Sequence, residues 1–495
     1  MSRFADALAR NDGSATLVEL VPWAGPLQDA AGERHREAAK VLAADERVTA
    51  LTVTDNAGGY VRLGPLTLGS AIEEMGGECV VHIACRDRSR AALQSTVYGL
   101  ASEGLTNALA LSGDYPKEGY GGRSRAVFDI DSVGLIAMLR DAGSHGPSFT
   151  IGCAVNPFKA VESDLVPQYL KLAMKVRAGA DVAITQVGYD TRSLSELLQW
   201  NRQQPRPVPL MASVYILSKG VAKVFHDDVV PGIRLSDEQL AWAEKQAAAD
   251  DKGRAAFLEF AAKQVAVVRG MGYAGVYVAG QRNAAEIDTV LRMANEFQAD
   301  WKTLLPDVHF PEPAPYRMYE QGDLPQLASA VPSRPTKTKR VPLWYRFNRL
   351  VHDVAFEPGT RGFAVGARAY GTLEKTRLMW PAHVLEQAVK VPMFDCKDCG
   401  DCSLPDIAYQ CPEGACAKNQ RNGPCGGSID GECEVPGKPC VWAVAYDRLR
   451  PYDEAMTMLD RAPVLQDNAL RGTSAWANTF LGRDHYARDD QGGES

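Results

Sequence analysis

The feature that most constrains the fold is a regular alternation of short β-branched runs with longer helical stretches between residues 15 and 300. Such alternation is typical of βα units, in which crossover helices join parallel strands. The predicted strands occupy 15–21, 48–54, 79–85, 106–112, 148–155, 181–186, 208–215 and 273–280. Eight strands in about 280 residues match the size of a (β/α)8 TIM barrel, with a doubly wound sheet as the alternative. The predicted fold class is therefore α/β.

The end of this strand rhythm divides the 495-residue chain into three predicted parts. The barrel takes residues 1–304. The stretch 305–341 is rich in proline and polar residues without an apolar period, and we predict a linker there. Residues 342–495 begin with aromatic and aliphatic helical segments and lead into a cysteine cluster. We predict that they form a small cysteine-rich metal-binding domain.

Charge and hydropathy exclude several classes of protein. The formal net charge of -7 gives no basic footprint, so nucleic acid is not an expected partner. No run approaches the roughly 20 apolar residues that span a bilayer, and the first residues contain no apolar signal core. We expect a soluble cytoplasmic protein, whose thiols would stay reduced.

Polar side chains lie at or near the end of nearly every predicted strand, where the active site of such a barrel is found. In chain order they are Glu19, Thr54, Asp55, His82, Ser112, Asp114, Asn156, Gln186, Tyr215 and Gln281. Glu19 lies in an apolar strand, where burial would raise its pKa as a general acid requires. Gly113 permits a tight turn that presents Asp114 at a strand mouth. The alternatives are a barrel-bottom or surface carboxylate for Glu19 and a turn aspartate for Asp114.

Eight of the eleven cysteines lie between residues 396 and 440. Their order is Cys396-x2-Cys399-x2-Cys402-x8-Cys411-x4-Cys416-x8-Cys425-x7-Cys433-x6-Cys440. Eight thiolates would make two four-ligand sets. The C-x2-C-x2-C triplet is typical of a loop around a 4Fe-4S cluster, whereas zinc sites use paired C-x2-C knuckles. Both metals stay open, with disulfides or unligated thiols as a further alternative, and the spacing does not assign ligands to sets.

Five motifs between residues 15 and 300 resemble those of methylenetetrahydrofolate reductases: TVTDNAGG, VHIACRDRSRAALQS, ALALSGDYP, VFDIDSVGLI and AGADVAITQ. The resemblance implies a flavoprotein barrel that interconverts 5,10-methylenetetrahydrofolate and 5-methyltetrahydrofolate by hydride transfer through flavin N5. It places the chain in one-carbon metabolism and methionine biosynthesis. The implied cofactor is FAD, with FMN as the alternative. The implied partners are the tetrahydrofolate substrate and either NAD(P)H or a protein electron carrier, and a homo-oligomeric state is allowed.

The resemblance also implies roles for individual residues. Glu19 is similar to the family's general acid, which protonates N10 of the folate, and Asp114 to the aspartate between flavin and pterin. The implied cofactor-binding residues are Thr54, Asp55, His82, Ser112, Gly113, Asp114, Asn156 and Lys175, and the substrate-binding residues are Gln186, Tyr215 and Phe225. Ser112 replaces a common arginine, Asn156 a common tyrosine, and Val221 a folate-contacting glutamine of some members. We therefore expect flavin and folate contacts that differ in detail.

Residues 340–450, with NGPCGG, GECEV and CVWAVAYDRL, resemble the C-terminal domain fused to, or encoded beside, some bacterial members of this family. The resemblance implies either a structural module or a link to an electron carrier other than a nicotinamide. Three functions remain open at this point. They are a reductase that works in either direction, a folate-dependent methyl-transfer protein, and a non-catalytic subunit that binds folate or a redox partner.

Overall fold

The computed structural model of the protein describes residues 2–489 and divides them into two compact units. The first unit runs to Pro335 and also includes Gly426–Asp430. The second comprises Thr336–Cys425 and the described residues from Gly431 onward. A short piece of the C-terminal sequence therefore belongs to the same unit as the N-terminal sequence.

Eight parallel strands close into a barrel in the first unit. They are β1 (Ala15–Leu20), β2 (Ala50–Val53), β3 (Cys79–Ala84), β4 (Asn107–Leu111), β5 (Thr150–Val155), β6 (Val182–Thr185), β7 (Leu210–Tyr215) and β8 (Gly275–Ala279). In β1, Leu17 is opposite Ala50 of β2 on one side and Tyr277 of β8 on the other. The predicted TIM barrel is confirmed, and each strand is one to three residues shorter than its apolar run.

Helices connect these strands. They are α2 (Ala30–Ala43), α3 (Pro65–Glu74), α4 (Arg90–Ser102), α5 (Ser132–Ser144), α6 (Glu162–Arg177), α7 (Thr191–Arg202), the trio α8 (Lys219–His226), α9 (Asp237–Gln246) and α10 (Arg254–Met271), and α11 (Ala284–Phe297) after β8. Helix α1 (Arg3–Arg10) precedes them, and its Phe4 and Leu8 pack with Leu17 and Met211 of the barrel strands. Asp or Ser side chains accept backbone N–H groups at the starts of α2, α4, α5 and α7.

The first part of the predicted linker packs on the barrel unit. It begins within the 3-10 helix Gln298–Val308 and contains an antiparallel pair, β9 (Tyr319–Gln321) with β10 (Ala328–Pro332). Leu305 and Tyr319 are buried. The backbone N–H of Met318 donates to the Glu196 carboxylate of α7 at 3.1 Å. These buried contacts hold the segment to the barrel.

The second unit is made of helices and long loops. Its helices are α12 (Leu343–Ala355), α13 (Arg361–Leu373), α14 (Met379–Phe394), α15 (Pro412–Ala415), α16 (Val441–Leu449), α17 (Ala475–Phe480) and α18 (His485–Asp489). Two side chains of α16 secure the loops: the buried Trp442 indole donates to the Gln420 carbonyl at 3.0 Å, and Arg448 to the Ala408 carbonyl at 2.7 Å. Among residues 2–489, no helix is both long and apolar enough to cross a membrane.

Lys159, which follows β5, holds Gly426–Asp430 within the first unit. Its buried ammonium donates to the carbonyl oxygens of Gly426 at 2.7 Å and Ser428 at 2.5 Å. Gly232 lies against the same segment with φ at +76°, and a Cβ there would be 2.7 Å from the Gly426 carbonyl oxygen. This close approach requires glycine at position 232.

Replacing Lys159 with Met should loosen this segment, because the variant takes the ammonium donor away from both carbonyl groups. Loss of a partner for a buried polar group costs about 1–3 kcal/mol. We expect faster hydrogen exchange at the amides of 426–430 and unchanged protection in the barrel strands, measured by mass spectrometry. Lys219→Met, at an exposed lysine, is the control. Equal exchange in 426–430 for K159M and the wild type would contradict the role of Lys159.

Candidate functional site

The closed barrel brings together Glu19 of β1, His82 of β3 and Tyr277 of β8. The Tyr277 hydroxyl of β8 donates to Oε2 of Glu19 on β1 at 2.6 Å. Gln281, just after β8, donates its amide to the Glu19 carbonyl at 2.5 Å. The Tyr277 ring lies 6.2 Å from the imidazole of His82 on β3. Glu19 and His82 were predicted, whereas Tyr277 was missed, because its strand resembles any buried apolar run.

The surroundings of these three side chains favour their neutral forms. Burial raises the pKa of Glu19, and the hydrogen bond from Tyr277 opposes that shift. Burial lowers the pKa of His82 to about 3, so its imidazole is neutral at physiological pH. Burial also raises the pKa of Tyr277 well above its usual value, so the phenol stays a donor. Glu19 therefore keeps its proton to a higher pH than a free glutamate, as proton donation requires.

Three buried polar atoms at this end of the barrel lack a hydrogen-bond partner in the described part of the chain. They are Nε2 of His82, Oγ1 of Thr54 and Oε1 of Gln281. Buried polar atoms normally find a partner, so such a group indicates a polar ligand that would supply one. A heterocycle with several donors and acceptors, such as a flavin or a pterin, fits these atoms chemically.

Of two predicted aromatic residues, Tyr215 lies near Glu19 and Phe225 packs on Tyr215. Tyr215, at the end of β7, and Phe225, on α8, contact edge to face with ring centroids 5.2 Å apart. Burial raises the pKa of Tyr215, and the nearby charge of Glu19 adds to the shift. Gly280, with φ at +82°, passes so close to the Tyr215 ring that a Cβ would lie 2.5 Å from it. Tyr215 therefore places an aromatic ring near the Glu19 carboxyl group, and Phe225 supports that ring from its side.

The predicted residues after β2 are held by contacts within the chain. The buried Asp55 carboxylate pairs with Arg88 and accepts the backbone N–H of Ala84 at 2.9 Å. Asp55 therefore fixes the loop after β3 against the end of β2. Thr54 beside it is buried, with the unpaired hydroxyl described above.

The turn after β4 presents a carboxylate, as the sequence suggested. Gly113 has φ at +88°, and a Cβ there would lie 3.0 Å from the Ala84 side chain. Asp114 accepts the backbone N–H of Gly58 at 2.9 Å. Ser112 is buried, with its hydroxyl 3.5 Å from that of Ser132.

Arg86, which the sequence analysis did not select, lies beside this turn. Its side chain is 2% exposed and pairs with Asp87 at 2.6 Å. Its guanidinium also donates to the carbonyl oxygens of Asn56 and Asp114, each at 3.2 Å. The run CRDRSR contains three arginines, and nothing in the sequence distinguishes the buried one.

Three further predicted residues donate or accept within the barrel unit. The Asn156 amide donates to the Gly232 carbonyl at 2.8 Å and also contacts the Gly426 carbonyl at 3.4 Å. The Lys175 ammonium donates to the Ala154 carbonyl at 2.6 Å. Gln186 accepts the N–H of the next residue at 2.9 Å. Their roles toward flavin and folate stay predictions.

Four of the eight clustered cysteines line one cavity in the second unit: Cys396, Cys399, Cys402 and Cys411. All carry free thiols. Burial raises the pKa of Cys402 to about 12. Across residues 2–489, no three His, Cys, Asp or Glu side chains form a group that could hold a metal ion.

The other four cysteines follow along the chain. Burial raises the pKa of Cys416 to about 11, and the charges of Cys425 and Cys433 add to the shift, so these three lie near one another. Cys440 precedes α16, and its backbone N–H donates to the Gly431 carbonyl at 2.8 Å. The structure therefore groups the first four cysteines around a cavity, which spacing alone did not assign.

Family models match two parts of the chain. Residues 32–238 match the family described as methylenetetrahydrofolate reductase, and residues 379–467 match a domain described as methylene-tetrahydrofolate reductase C terminal. The first match lies within the barrel unit, and the second includes all eight clustered cysteines.

Curated relatives carry the same name. The 5,10-methylenetetrahydrofolate reductase of Salmonella typhimurium (strain LT2) is 32% identical over 126 residues, 24% of this chain and 38% of that protein. Methylenetetrahydrofolate reductase 2 of Schizosaccharomyces pombe is 27% identical over 146 residues, 27% of this chain and 22% of that protein. The matches therefore span well under half the length of both relatives.

Among solved structures, an uncharacterized protein from Clostridium thermocellum that binds two copies of 5-methyl-5,6,7,8-tetrahydrofolic acid has a TM-score of 0.44 and 11% identity. The match covers 60% of this chain and 100% of that one. The family assignment rests on the sequence matches above. Residues 32–238 belong to the methylenetetrahydrofolate reductase family, and residues 379–467 to the family of its C-terminal domain.

Proposed function

We propose that this chain is a flavin-dependent reductase that interconverts 5,10-methylenetetrahydrofolate and 5-methyltetrahydrofolate. The observation that carries the proposal is the Glu19 carboxyl, whose pKa is raised by burial and which accepts the Tyr277 hydroxyl at the substrate end of the barrel. Its family membership supports the folate substrate. The unpaired polar atoms nearby support a bound heterocycle.

In this proposal, a bound flavin, once reduced by NAD(P)H or a protein electron carrier, would supply the hydride that converts the one-carbon bridge into a methyl group. Glu19 donates its proton to N10 of the folate, which releases that nitrogen from the bridging carbon. Tyr277 holds Oε2, which leaves Oε1 to carry the proton. The neutral imidazole of His82 offers Nε2 to the cofactor, and the Tyr215–Phe225 pair packs against the flat rings of the substrate.

We also propose that Cys396, Cys399, Cys402 and Cys411 hold a 4Fe-4S cluster. The four thiols line one cavity, and the C-x2-C-x2-C spacing of the first three with a more distant fourth is typical of the loops that bind such clusters. An all-cysteine donor set is the one that such clusters use.

Replacing Glu19 with Gln tests the catalytic proposal. Loss of a general acid lowers rates by roughly 10²–10⁴-fold. We expect a loss of this size in the half-reaction with folate and no loss in flavin reduction, both followed by flavin absorbance. In the wild type, only the folate half-reaction should slow as pH rises through the raised pKa of Glu19, because the acid form disappears.

Glu33→Gln, at an exposed glutamate, is the matched control. Unchanged folate turnover in E19Q would remove Glu19 as the acid. A wild-type protein that neither contains flavin nor takes it up would contradict the reductase proposal. That outcome would leave a methyl-transfer protein or a binding subunit.

Replacing Tyr277 with Phe should raise the pKa of Glu19 further. The hydroxyl stabilises the ionised carboxylate, so its loss favours the protonated form. We expect the carboxylic C=O stretch of Glu19, identified by its absence in E19Q, to persist to higher pH in infrared titrations. The exposed Tyr98, changed to Phe, should leave this titration unchanged. A lower or equal midpoint in Y277F would show that the hydroxyl does not stabilise the anion.

Replacing Cys402 with Ser should remove the proposed cluster. We expect the purified protein to lose about four iron atoms and their sulfide per chain, while it keeps its flavin. Iron, zinc and acid-labile sulfide are measured on the same samples. Cys153→Ser, at a buried cysteine of β5, is the control. Zinc without iron in the wild-type protein would contradict the cluster.

A further inference from the structure

Helix α14 ends beside the cysteine cavity and contains a buried ion pair. The Lys390 ammonium lies 3.0 Å from Oε1 of Glu386, one turn earlier, and the two side chains are 4% and 0% exposed. Burial of two charges costs more desolvation free energy than an apolar pair of the same size would. The pair is therefore weak evidence for stability, and its other contacts indicate what it does.

The Glu386 carboxylate also accepts hydrogen bonds from groups other than Lys390. Its Oε2 accepts the Ser474 hydroxyl at 2.6 Å, and the backbone N–H of Trp476 lies 3.4 Å from both carboxylate oxygens. These bonds fix the carboxylate, and the carboxylate in turn fixes the ammonium of Lys390. The lysine is held in one position rather than free to reach solvent.

Besides Glu386, the Lys390 ammonium contacts the cysteine cavity. Nζ of Lys390 lies 3.5 Å from Sγ of Cys402, and Lys390 lines the same cavity as the four cysteines. Arg421 also lines it, but its guanidinium donates to the Asp401 carbonyl, the Ser403 hydroxyl and the Gln466 side chain. Of these two cations, Lys390 is the one in contact with a sulfur.

We infer that Lys390 sets the reduction potential of the centre at Cys396, Cys399, Cys402 and Cys411, through its hydrogen bond to the Cys402 sulfur. The inference rests on the proposed cluster. One-electron reduction adds a negative charge to such a centre and its thiolates. A fixed positive charge bonded to one sulfur stabilises the reduced state more than the oxidised state, so it raises the potential. Lys390 acts through its charge on the Cys402 sulfur, and Glu386 holds the ammonium in place.

The test is a dithionite titration of the full-length protein, with the reduced cluster followed by electron paramagnetic resonance. Lys390→Met removes the charge and the donor, and Lys390→Gln keeps a donor without charge. We expect the midpoint potential to shift downward in both variants, further in K390M, and to stay near the wild-type value in K390R. Lys397→Met is the matched control, because Lys397 lies in the loop that follows α14 and is a lysine near the same cysteines, but it is 48% exposed and pairs with Asp395.

Each outcome decides a different point. Iron-loaded K390M with the wild-type potential would overturn the inference and leave the cluster in place. Wild-type protein without iron would overturn the cluster and the inference together. If K390M and K390Q both lack iron while the wild type contains it, the lysine serves assembly, and the inference is wrong.

Discussion

Closure of the barrel between its first and last strands is the constraint on which the rest of the first unit depends. Gly275 begins β8 against Ala15 of β1, and a Cβ at position 275 would lie 2.0 Å from the Ala15 carbonyl oxygen. Because glycine allows this approach, Tyr277 reaches Glu19 across 258 residues of sequence. The same pairing that closes the sheet therefore brings Tyr277 to the Glu19 carboxylate, and the hydrogen bond between them links the first and last strands.

The fold was predictable because parallel strands buried on both faces need continuous apolar, β-branched runs, and helices must separate them. Eight such runs leave few arrangements other than a barrel. Strand ends were less predictable, since an apolar run such as 48–54 extends past the hydrogen-bonded part Ala50–Val53. The proline-rich stretch after 304 lacks any period, yet it packs on α7 through the buried Tyr319 and Glu196.

Some residues of the candidate site could also be predicted from the sequence, whereas others could not. Glu19 and His82 could be found because a polar residue inside an apolar strand stands out. Tyr277 could not, because tyrosine is common in buried strands, and only the pairing of β1 with β8, with Tyr277 opposite Leu17, brings its hydroxyl to the Glu19 carboxylate two residues further along β1. The contacts of Asn156 and Lys159 with Gly426 span about 270 residues. No local pattern predicts such a pairing, which follows from the path of the chain after it leaves the cysteine loops.

In the cysteine region, the position of one buried charge, the Lys390 ammonium, adds information that the spacing of the cysteines lacks. Spacing indicated a metal centre but could not choose its ligands. The structure adds helix α14 before the triplet, and the buried Lys390 of this helix contacts the Glu386 carboxylate and the Cys402 sulfur. The Glu386 carboxylate also accepts the Ser474 hydroxyl, so Lys390 shares this carboxylate with a second donor. A buried ammonium is best compensated when further negative charge faces it, and the thiolates of a loaded centre would supply that charge. The ion pair and the proposed cluster therefore explain each other.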